Sequence, residues 1–171
     1  MRVICVVGFS GSGKTLLSEY LIRRFRKEGI ETGAVKHARH RISLDPRGKD
    51  TWKLAEVGAS PVFAVSRSRV LAVYRSAGED EGLRFALSSC REAGLERVVV
   101  EGFKSKLPAG STFVITASRP RDLAAVLKVT RRGPAAVGTL GSKSALEGTT
   151  AAPVFSLKTE KEDIYRIVSG A

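Results

Sequence analysis

The chain of 171 residues has the usual length of one domain, and it is too short for a nucleotide-binding unit joined to a second full domain. Apolar residues make up 43% of the sequence, which indicates a globular protein, and no apolar run reaches the roughly 20 residues that a membrane-spanning helix needs. The 29 lysines and arginines exceed the 17 acidic residues and give a net charge of +12, which favours anionic partners such as nucleotides, phosphorylated cofactors, nucleic acid or an acidic protein. Together with the glycine-rich loop at residues 8–15, this length predicts a single nucleotide-binding domain over residues 1–171.

The first predicted strand leads into a glycine-rich loop. An apolar, β-branched run at residues 3–7 is followed by Gly-Phe-Ser-Gly-Ser-Gly-Lys-Thr at residues 8–15, which matches G-x-x-x-x-G-K-[ST]. Apolar residues at helical spacing follow from Leu16 to Phe25, so strand, loop and helix come in the order that a phosphate-binding loop requires. A turn that merely caps a helix is the alternative, but a cap does not need Lys14 and Thr15 in those places.

The residue types of this loop are suited to a nucleotide. We expect positive φ angles at the loop glycines, so that backbone N–H groups and the positive end of the helix face a phosphate. Lys14 is expected to reach the β- and γ-phosphates, and Thr15 offers a hydroxyl to Mg²⁺. The predicted nucleotide-binding residues are Gly8, Ser10, Gly11, Ser12, Gly13, Lys14, Thr15 and Leu16.

The next segment contains a second strand at residues 34–37, a charged loop at 38–50 and a short helix that ends at Gly58. We expect Asp50 or Thr51 to be the N-cap of this helix. The basicity of the segment predicts contacts with phosphate or substrate, and a solvated loop is the alternative. The candidate contact residues are His37, Arg39, His40, Lys49 and Asp50.

The remaining predicted elements alternate between strands and helices. Apolar runs at 61–65 and 70–74 predict a β-hairpin, and a helix follows at 79–93. Residues 97–100 form a β-branched run typical of a buried parallel strand, and further strands are predicted at 113–116, 135–140 and 154–157, with helices at 121–129 and 161–168. The predicted fold class is α/β, a three-layer P-loop NTPase-like and mostly parallel sheet flanked by helices, with a β-hairpin insertion.

Two acidic residues are candidates for a metal site together with Thr15. Glu101 ends the buried strand at 97–100, where it would hold Mg²⁺ and orient an attacking water, so it is also the candidate catalytic residue. The alternative for Glu101 is a strand-end carboxylate paired with a nearby lysine. Asp45 lies in the long loop, where a turn-forming Asp before Pro46 is the alternative. Neither histidine has the cysteine or carboxylate partners at the spacing of a zinc site.

Other features bear on location and turnover. Cys5 and Cys90 show no C-x-x-C spacing, and the first residues enter a strand without a signal-peptide pattern, so we expect a reduced, cytoplasmic protein. The chain contains no Asn, which makes an N-K-x-D guanine-binding sequence impossible. It contains no Gln that could orient water, so hydrolysis is expected to be slow.

Three segments together resemble the molybdopterin-guanine dinucleotide biosynthesis protein B (MobB) family. They are the loop at 8–15, the sequence from Lys36-His37-Ala38-Arg39-His40 through residues 45–52 to 55–59, and Val100-Glu101-Gly102-Phe103-Lys104. The resemblance covers about the first 104 residues. It implies a P-loop protein that binds GTP and Mg²⁺ with feeble GTPase activity, and a homodimer to which the hairpin contributes. It further implies an accessory role beside the nucleotidyl transferase MobA, which joins GMP to molybdopterin.

Two other functional classes stay open at this point. An ATP-dependent small-molecule kinase would use the arginines at 119, 121, 131 and 132 as a lid, and Glu101 or Asp45 as the base. A nucleic-acid-binding protein would use the positive charge, but the basic residues are scattered and aromatic residues are few, so we do not expect a nucleic-acid partner.

Overall fold

The computed structural model describes residues 1–38 and 47–170. Its elements are β1 (Arg2–Gly8), α1 (Lys14–Lys27), β2 (Thr32–Lys36), α2 (Asp50–Glu56), β3 (Val62–Val65), β4 (Val70–Val73), α3 (Glu79–Glu92), β5 (Arg97–Glu101), β6 (Thr112–Thr116), α4 (Pro120–Thr130), β7 (Ala136–Thr139), α5 (Ser144–Glu147), β8 (Val154–Ser156) and α6 (Lys161–Ser169). The predicted strands and helices are present, with ends that differ by one or two residues. The four-residue α5 was not predicted, because it is too short to show a helical period.

Six strands form one sheet in the order β2-β5-β1-β6-β7-β8, and every neighbouring pair is parallel. The middle of β1, from Ile4 to Val7, is completely buried, as expected for a strand covered on both faces. Because the strands are parallel, their carboxyl ends share one edge of the sheet, where β1 ends at Gly8, β5 at Glu101 and β6 at Thr116. This arrangement confirms the predicted fold class.

The chain divides into two compact units, Met1–His37 with Ala86–Ala171, and Ala38–Phe85. The first unit contains the parallel sheet, and the second contains α2 and the hairpin of β3 and β4. The helix α3 contributes residues to both. The expectation of one single nucleotide-binding domain stays a prediction.

The hydrophobic core of the first unit joins the beginning of the chain to its end. Side chains from β1 and α1 form one buried cluster with side chains from β5, β6 and β7, with Leu157 directly after β8, and with side chains from α6. Complete burial of a side chain such as Leu21 or Phe25 stabilises the fold by about 1.5–3 kcal/mol. The members of the cluster are Ile4, Val6, Leu17, Leu21, Phe25, Val99, Val114, Ala136, Leu157, Ile164, Tyr165 and Val168.

A polar cluster lies beside this core and ties α1 to α6. The guanidinium of Arg24 donates two hydrogen bonds of 2.8 Å to the Glu162 carboxylate, which also accepts one of 2.7 Å from the hydroxyl of Tyr20. These bonds, with Arg24 the larger cause, lower the pKa of Glu162 to about 2. The Tyr165 hydroxyl donates a hydrogen bond to the Glu28 carboxylate. Burial, which is the larger cause, and this bond, which is the next, raise the pKa of Tyr165 to about 12.

The hairpin in the second unit is antiparallel, with Phe63 opposite Ala72 and Val65 opposite Val70. Side chains alternate between its two faces, and one face carries Phe63, Val65 and Val70, which are 58%, 76% and 65% exposed. We call these residues, with Ala72, the hairpin face.

The start of α2 differs from the expectation. Its N-cap is Lys49, in an extended conformation with φ −71° and ψ 163°. Asp50 instead lies in the first turn, where a negative charge favours the positive end of the helix dipole, and it is 3.8 Å from Lys53 Nζ. The prediction that Asp50 or Thr51 caps this helix was therefore wrong.

Candidate functional site

The glycine-rich loop joins the end of β1 to the start of α1. Gly13 is the N-cap of α1, with φ 95°, and Gly11 has φ 73°. Gly13 has no side chain to cap the helix, and no acidic residue lies in the first turn. The start of α1 therefore has neither a capping side chain nor an acidic residue of its own first turn, which is the arrangement that favours an anion.

Gly8 does not have the positive φ that we expected. It still belongs to β1 and lies opposite Thr116 of β6 in the parallel register. A Cβ on Gly8 would come within 2.6 Å of Ser12 Oγ and of Thr116 Oγ1, and closer still to the Thr116 carbonyl oxygen. Glycine is thus required at this position by close approach rather than by backbone conformation.

Lys14 folds back over the loop, and its ammonium group donates a hydrogen bond of 2.7 Å to the carbonyl oxygen of Phe9. Lys104 Nζ lies 3.8 Å from the centre of the Phe9 ring, within the range of a cation–π interaction. Both ammonium groups therefore contact Phe9, and two positive charges lie at the loop.

Thr15 and Glu101 come together at the carboxyl edge of the sheet. The Thr15 hydroxyl lies 3.1 and 3.2 Å from the two carboxylate oxygens of Glu101, to which it donates. Lys36 Nζ lies 3.8 Å from Glu101 Oε1, and the Glu101 side chain is only 13% exposed. The sequence left two interpretations of Glu101 open, a site shared with Thr15 and a pair with a nearby lysine, and the carboxylate makes both contacts.

Oxygen atoms dominate this corner of the site. A threonine hydroxyl and one carboxylate are the ligand types that Mg²⁺ takes from a protein when phosphate oxygens and water complete its shell. Residues 1–38 and 47–170 contain no group of three or more His, Cys, Asp and Glu side chains that would hold a metal by themselves. The donor set fits a magnesium ion bound together with a phosphate.

His37 lies next to the Glu101 segment. Its backbone N–H donates to the Glu101 carbonyl oxygen at 2.8 Å, and its ring centre is 4.6 Å from that of Phe103. Gly102 has φ 100°, and a Cβ there would come within 2.6 Å of His37 Cβ. Phe103 itself has φ 54°, a conformation that costs a non-glycine residue on the order of 1–2 kcal/mol. The strained segment is held against His37.

Ser12 and Thr116 form a buried hydroxyl pair, with their oxygens 2.7 Å apart. Ser12 is 5% exposed and Thr116 is completely buried. Sequence reasoning assigned no role to Thr116, nor to Lys36 or Lys104 as individual site residues. Only the position of Thr116 directly after the buried run at 113–115 hinted that it would face the same edge as Gly8 and Glu101.

The other candidates are distributed as follows. Ser10, Gly11, Thr15 and Leu16 are exposed at the loop and the start of α1. Lys49 and Asp50 belong to the second unit. Arg39, His40 and Asp45 lie outside the described residues.

The arginines suggested for a kinase lid do not converge. Arg119 pairs with Asp122 at the start of α4, at an N–O distance of 2.8 Å, whereas Arg132 follows the end of α4 and donates to the Ser111 carbonyl oxygen. The 11 residues of α4 separate these positions by about 16 Å. One lid over a single phosphate cannot be built from both. No helix in the two described stretches of the chain is long and apolar enough to cross a membrane.

Comparison with known proteins gives consistent matches. The sequence profile of the family described as molybdopterin guanine dinucleotide synthesis protein B matches residues 3–121. The chain is 33% identical over 103 residues to the molybdopterin-guanine dinucleotide biosynthesis adapter protein of Escherichia coli (strain K12). The aligned region covers 60% of this chain and 59% of that protein. It is 33% identical over 101 residues to the protein of the same name from Haemophilus influenzae, over 59% of this chain and 56% of that protein. The chain thus matches less than two thirds of the length of these relatives.

The fold also matches a solved structure over nearly its whole length. The crystal structure of a MobB protein homolog from Bacillus stearothermophilus aligns with a TM-score of 0.74 and 26% identity, covering 99% of this chain and 97% of that one. The structural match therefore extends beyond residue 121, where the profile match ends.

Proposed function

Because this chain belongs to the molybdopterin guanine dinucleotide synthesis protein B (MobB) family, we propose that it is a GTP-binding adapter in the biosynthesis of molybdopterin guanine dinucleotide. The observation that carries the nucleotide part is the contact of the Thr15 hydroxyl with Glu101, at the start of a helix that lacks a capping side chain. The names of the relatives in Escherichia coli and Haemophilus influenzae support the adapter part.

In this proposal the loop binds the nucleotide phosphates. Backbone N–H groups at the start of α1 donate to phosphate oxygens, and Lys14 leaves the Phe9 carbonyl to contact the β- and γ-phosphates. Lys36, now 3.8 Å from Glu101, adds positive charge beside them. The proposed nucleotide-binding residues are Gly8, Ser10, Gly11, Ser12, Gly13, Lys14, Thr15 and Leu16.

We propose that Thr15 and Glu101 hold Mg²⁺, with Asp45 as a further candidate ligand from the sequence. When bound, the ion would neutralise phosphate charge. The Thr15 hydroxyl would turn a lone pair towards it, and the Glu101 carboxylate would exchange its contacts with Thr15 and Lys36 for a metal ligand or a water. In this proposal Glu101 orients a water. GTPase activity is expected to be feeble, because the chain has no Gln for this role.

The substrate side of the proposal involves the basic segment after β2. His37 lies at the edge where Glu101 ends, and Arg39, His40, Lys49 and Asp50 follow in the sequence. We propose that these residues contact molybdopterin or a phosphate. The net charge of +12 suits such anionic ligands.

We further propose that the chain works as a cytoplasmic homodimer beside the nucleotidyl transferase MobA. The hairpin face supports the homodimer, since two copies would cover their exposed Phe63, Val65 and Val70 side chains against each other. The resemblance to the family supports this assembly and the preference for GTP.

The test is calorimetric titration of the purified protein with GTP and with ATP, each with Mg²⁺. The wild type is expected to prefer GTP, and Lys14→Ala is expected to abolish binding. Lys27→Ala is the matched control, since it removes a lysine from the last turn of the same helix. Glu101→Gln is expected to weaken the dependence of binding on Mg²⁺ while the stability of the empty protein changes little.

Two outcomes would contradict the proposal in different ways. Retained affinity in Lys14→Ala would refute the assignment of the site. A preference for ATP would discard the guanine assignment, and phosphate transfer to an added acceptor would then favour a small-molecule kinase. The adapter role is tested separately by binding of the wild-type protein to purified MobA, with and without GTP.

A further inference from the structure

A buried chain of hydroxyl groups connects the glycine-rich loop to β6. Thr116 Oγ1 lies 2.7 Å from Ser12 Oγ and 3.4 Å from the carbonyl oxygen of Val7. Each hydroxyl has one proton, so Thr116 donates to Val7 while it accepts from Ser12. The two linked hydroxyls are 104 positions apart in the sequence.

The position of Thr116 is unusual for a polar side chain. It is completely buried at the end of a strand, where valine would have nearly the same shape and a comparable preference for strands. Burial of a hydroxyl is costly unless it is hydrogen-bonded. The bonds that Thr116 makes go to Ser12 in the loop and to Val7 at the end of β1, so its polar atom acts on the loop.

The loop meets close contacts on its inner side and none at its crest. Beneath it, Gly8 lies so near Thr116 that no Cβ fits, and a Cβ on Gly13 would come within 2.6 Å of Leu157 Cδ1. By contrast, a Cβ on Gly11 would have nothing within 4 Å. The hydroxyl pair therefore links the loop to β6, below a crest at Gly11 that is open.

We propose that Thr116 is a positioning residue for nucleotide binding. Its hydroxyl holds Ser12, and with it the backbone N–H groups of Gly13 and Lys14, in the conformation that receives phosphate before the nucleotide arrives. This inference rests on the proposed function, because it assumes that the loop binds a nucleotide. Thr116 does not touch the nucleotide; it acts through Ser12.

The test compares Thr116→Val with Thr116→Ser and with a matched control. Thr130→Val removes another buried threonine hydroxyl, one that donates to the Leu127 carbonyl oxygen at 3.2 Å and belongs to α4. Affinity for GTP and for ATP with Mg²⁺ is measured by calorimetry. Amide hydrogen exchange of residues 8–16 is measured on the nucleotide-free protein.

Thr116→Val is expected to weaken nucleotide binding about tenfold, which corresponds to the loss of one hydrogen bond in the bound conformation. It is also expected to speed exchange of the loop amides. Thr116→Ser restores both, and Thr130→Val changes neither. A purely structural role would lower the melting temperature of both valine variants alike without a selective effect on the loop.

The outcomes separate this inference from the function on which it rests. If the wild type binds no nucleotide, the proposed function fails, and the exchange measurement alone decides whether Thr116 holds the loop. If the wild type binds and Thr116→Val binds equally well with unchanged exchange, Thr116 has no positioning role. If Thr116→Val does not fold, Ser12→Ala breaks the same bond from the loop side, and unchanged exchange there would refute the inference.

Discussion

Replacement of Gly8 by alanine tests the packing of the loop against β6. The new methyl group would lie 2.6 Å from two hydroxyl oxygens, against the 3.4 Å at which ordinary contact begins, so atoms must move by at least about 0.8 Å. The backbone of β6 must move as well, since the Thr116 carbonyl oxygen would be even closer to the new methyl group. Overpacking of this kind costs about 2 kcal/mol, which corresponds to a fall in Tm of about 4–8 °C for a protein of this size.

Differential scanning calorimetry of the nucleotide-free protein measures this effect. Gly148→Ala is the control, because Gly148 has φ −77° and a Cβ there would meet nothing within 4 Å, so its expected change is within about 0.5 kcal/mol. A Gly8→Ala protein that melts with the wild type would show that β6 yields to the methyl group. The argument that Gly8 is required by close approach would then be refuted.

Three further changes have defined outcomes. Glu162→Gln is expected to lower the free energy of unfolding by about 1 kcal/mol at neutral pH. Because the pKa of Glu162 is depressed to about 2, its contribution is lost as the carboxylate is protonated, and the difference from the wild type should vanish between about pH 4.5 and pH 2. Thermal melting of both proteins across this pH range checks the prediction. Arg131→Gly should raise the free energy of unfolding by about 0.5–1 kcal/mol, since Arg131 has a left-handed backbone conformation, with φ 53°, at the end of α4. An unchanged urea midpoint would contradict this prediction. In the proposed homodimer, the wild type should sediment as a dimer in analytical ultracentrifugation and Val65→Asp, on the hairpin face, as a monomer. Val129→Asp, at an exposed apolar position of α4, should stay dimeric. A dimer of Val65→Asp would exclude the hairpin face from the interface.

Local patterns in the sequence predicted the elements and the loop, because their causes lie within a few residues. The run at 3–7 and the helical spacing after Leu16 are local, and so is the need for Gly11 and Gly13 to adopt positive φ. The position of Glu101 at a strand end could be predicted from the β-branched run before it. Its meeting with Thr15 follows from the parallel order of β5 and β1.

Features set by distant contacts could not be predicted. The sequence predicted that Gly8 is needed for its backbone freedom, whereas the structure shows that it is needed because Thr116 leaves no room for a Cβ. Thr116 comes near Gly8 only through the pairing of β1 with β6. The left-handed Phe103 carries no local signal, since nothing in its residue type favours φ 54°. The Lys104 contact with the Phe9 ring likewise depends on tertiary structure.

The joint core of the first and last segments sets a limit on how the chain can be shortened. The profile match ends at residue 121, which invites a minimal fragment ending there. Yet Leu157, Ile164 and Val168 are at most 1% exposed and pack in one cluster with side chains of β1 and α1. A fragment cut at residue 121 would leave in water the part of α1 that packs against α6, and it would be expected to aggregate. Loop peptides and domain fragments are therefore poor substitutes for the whole chain in assays of this site.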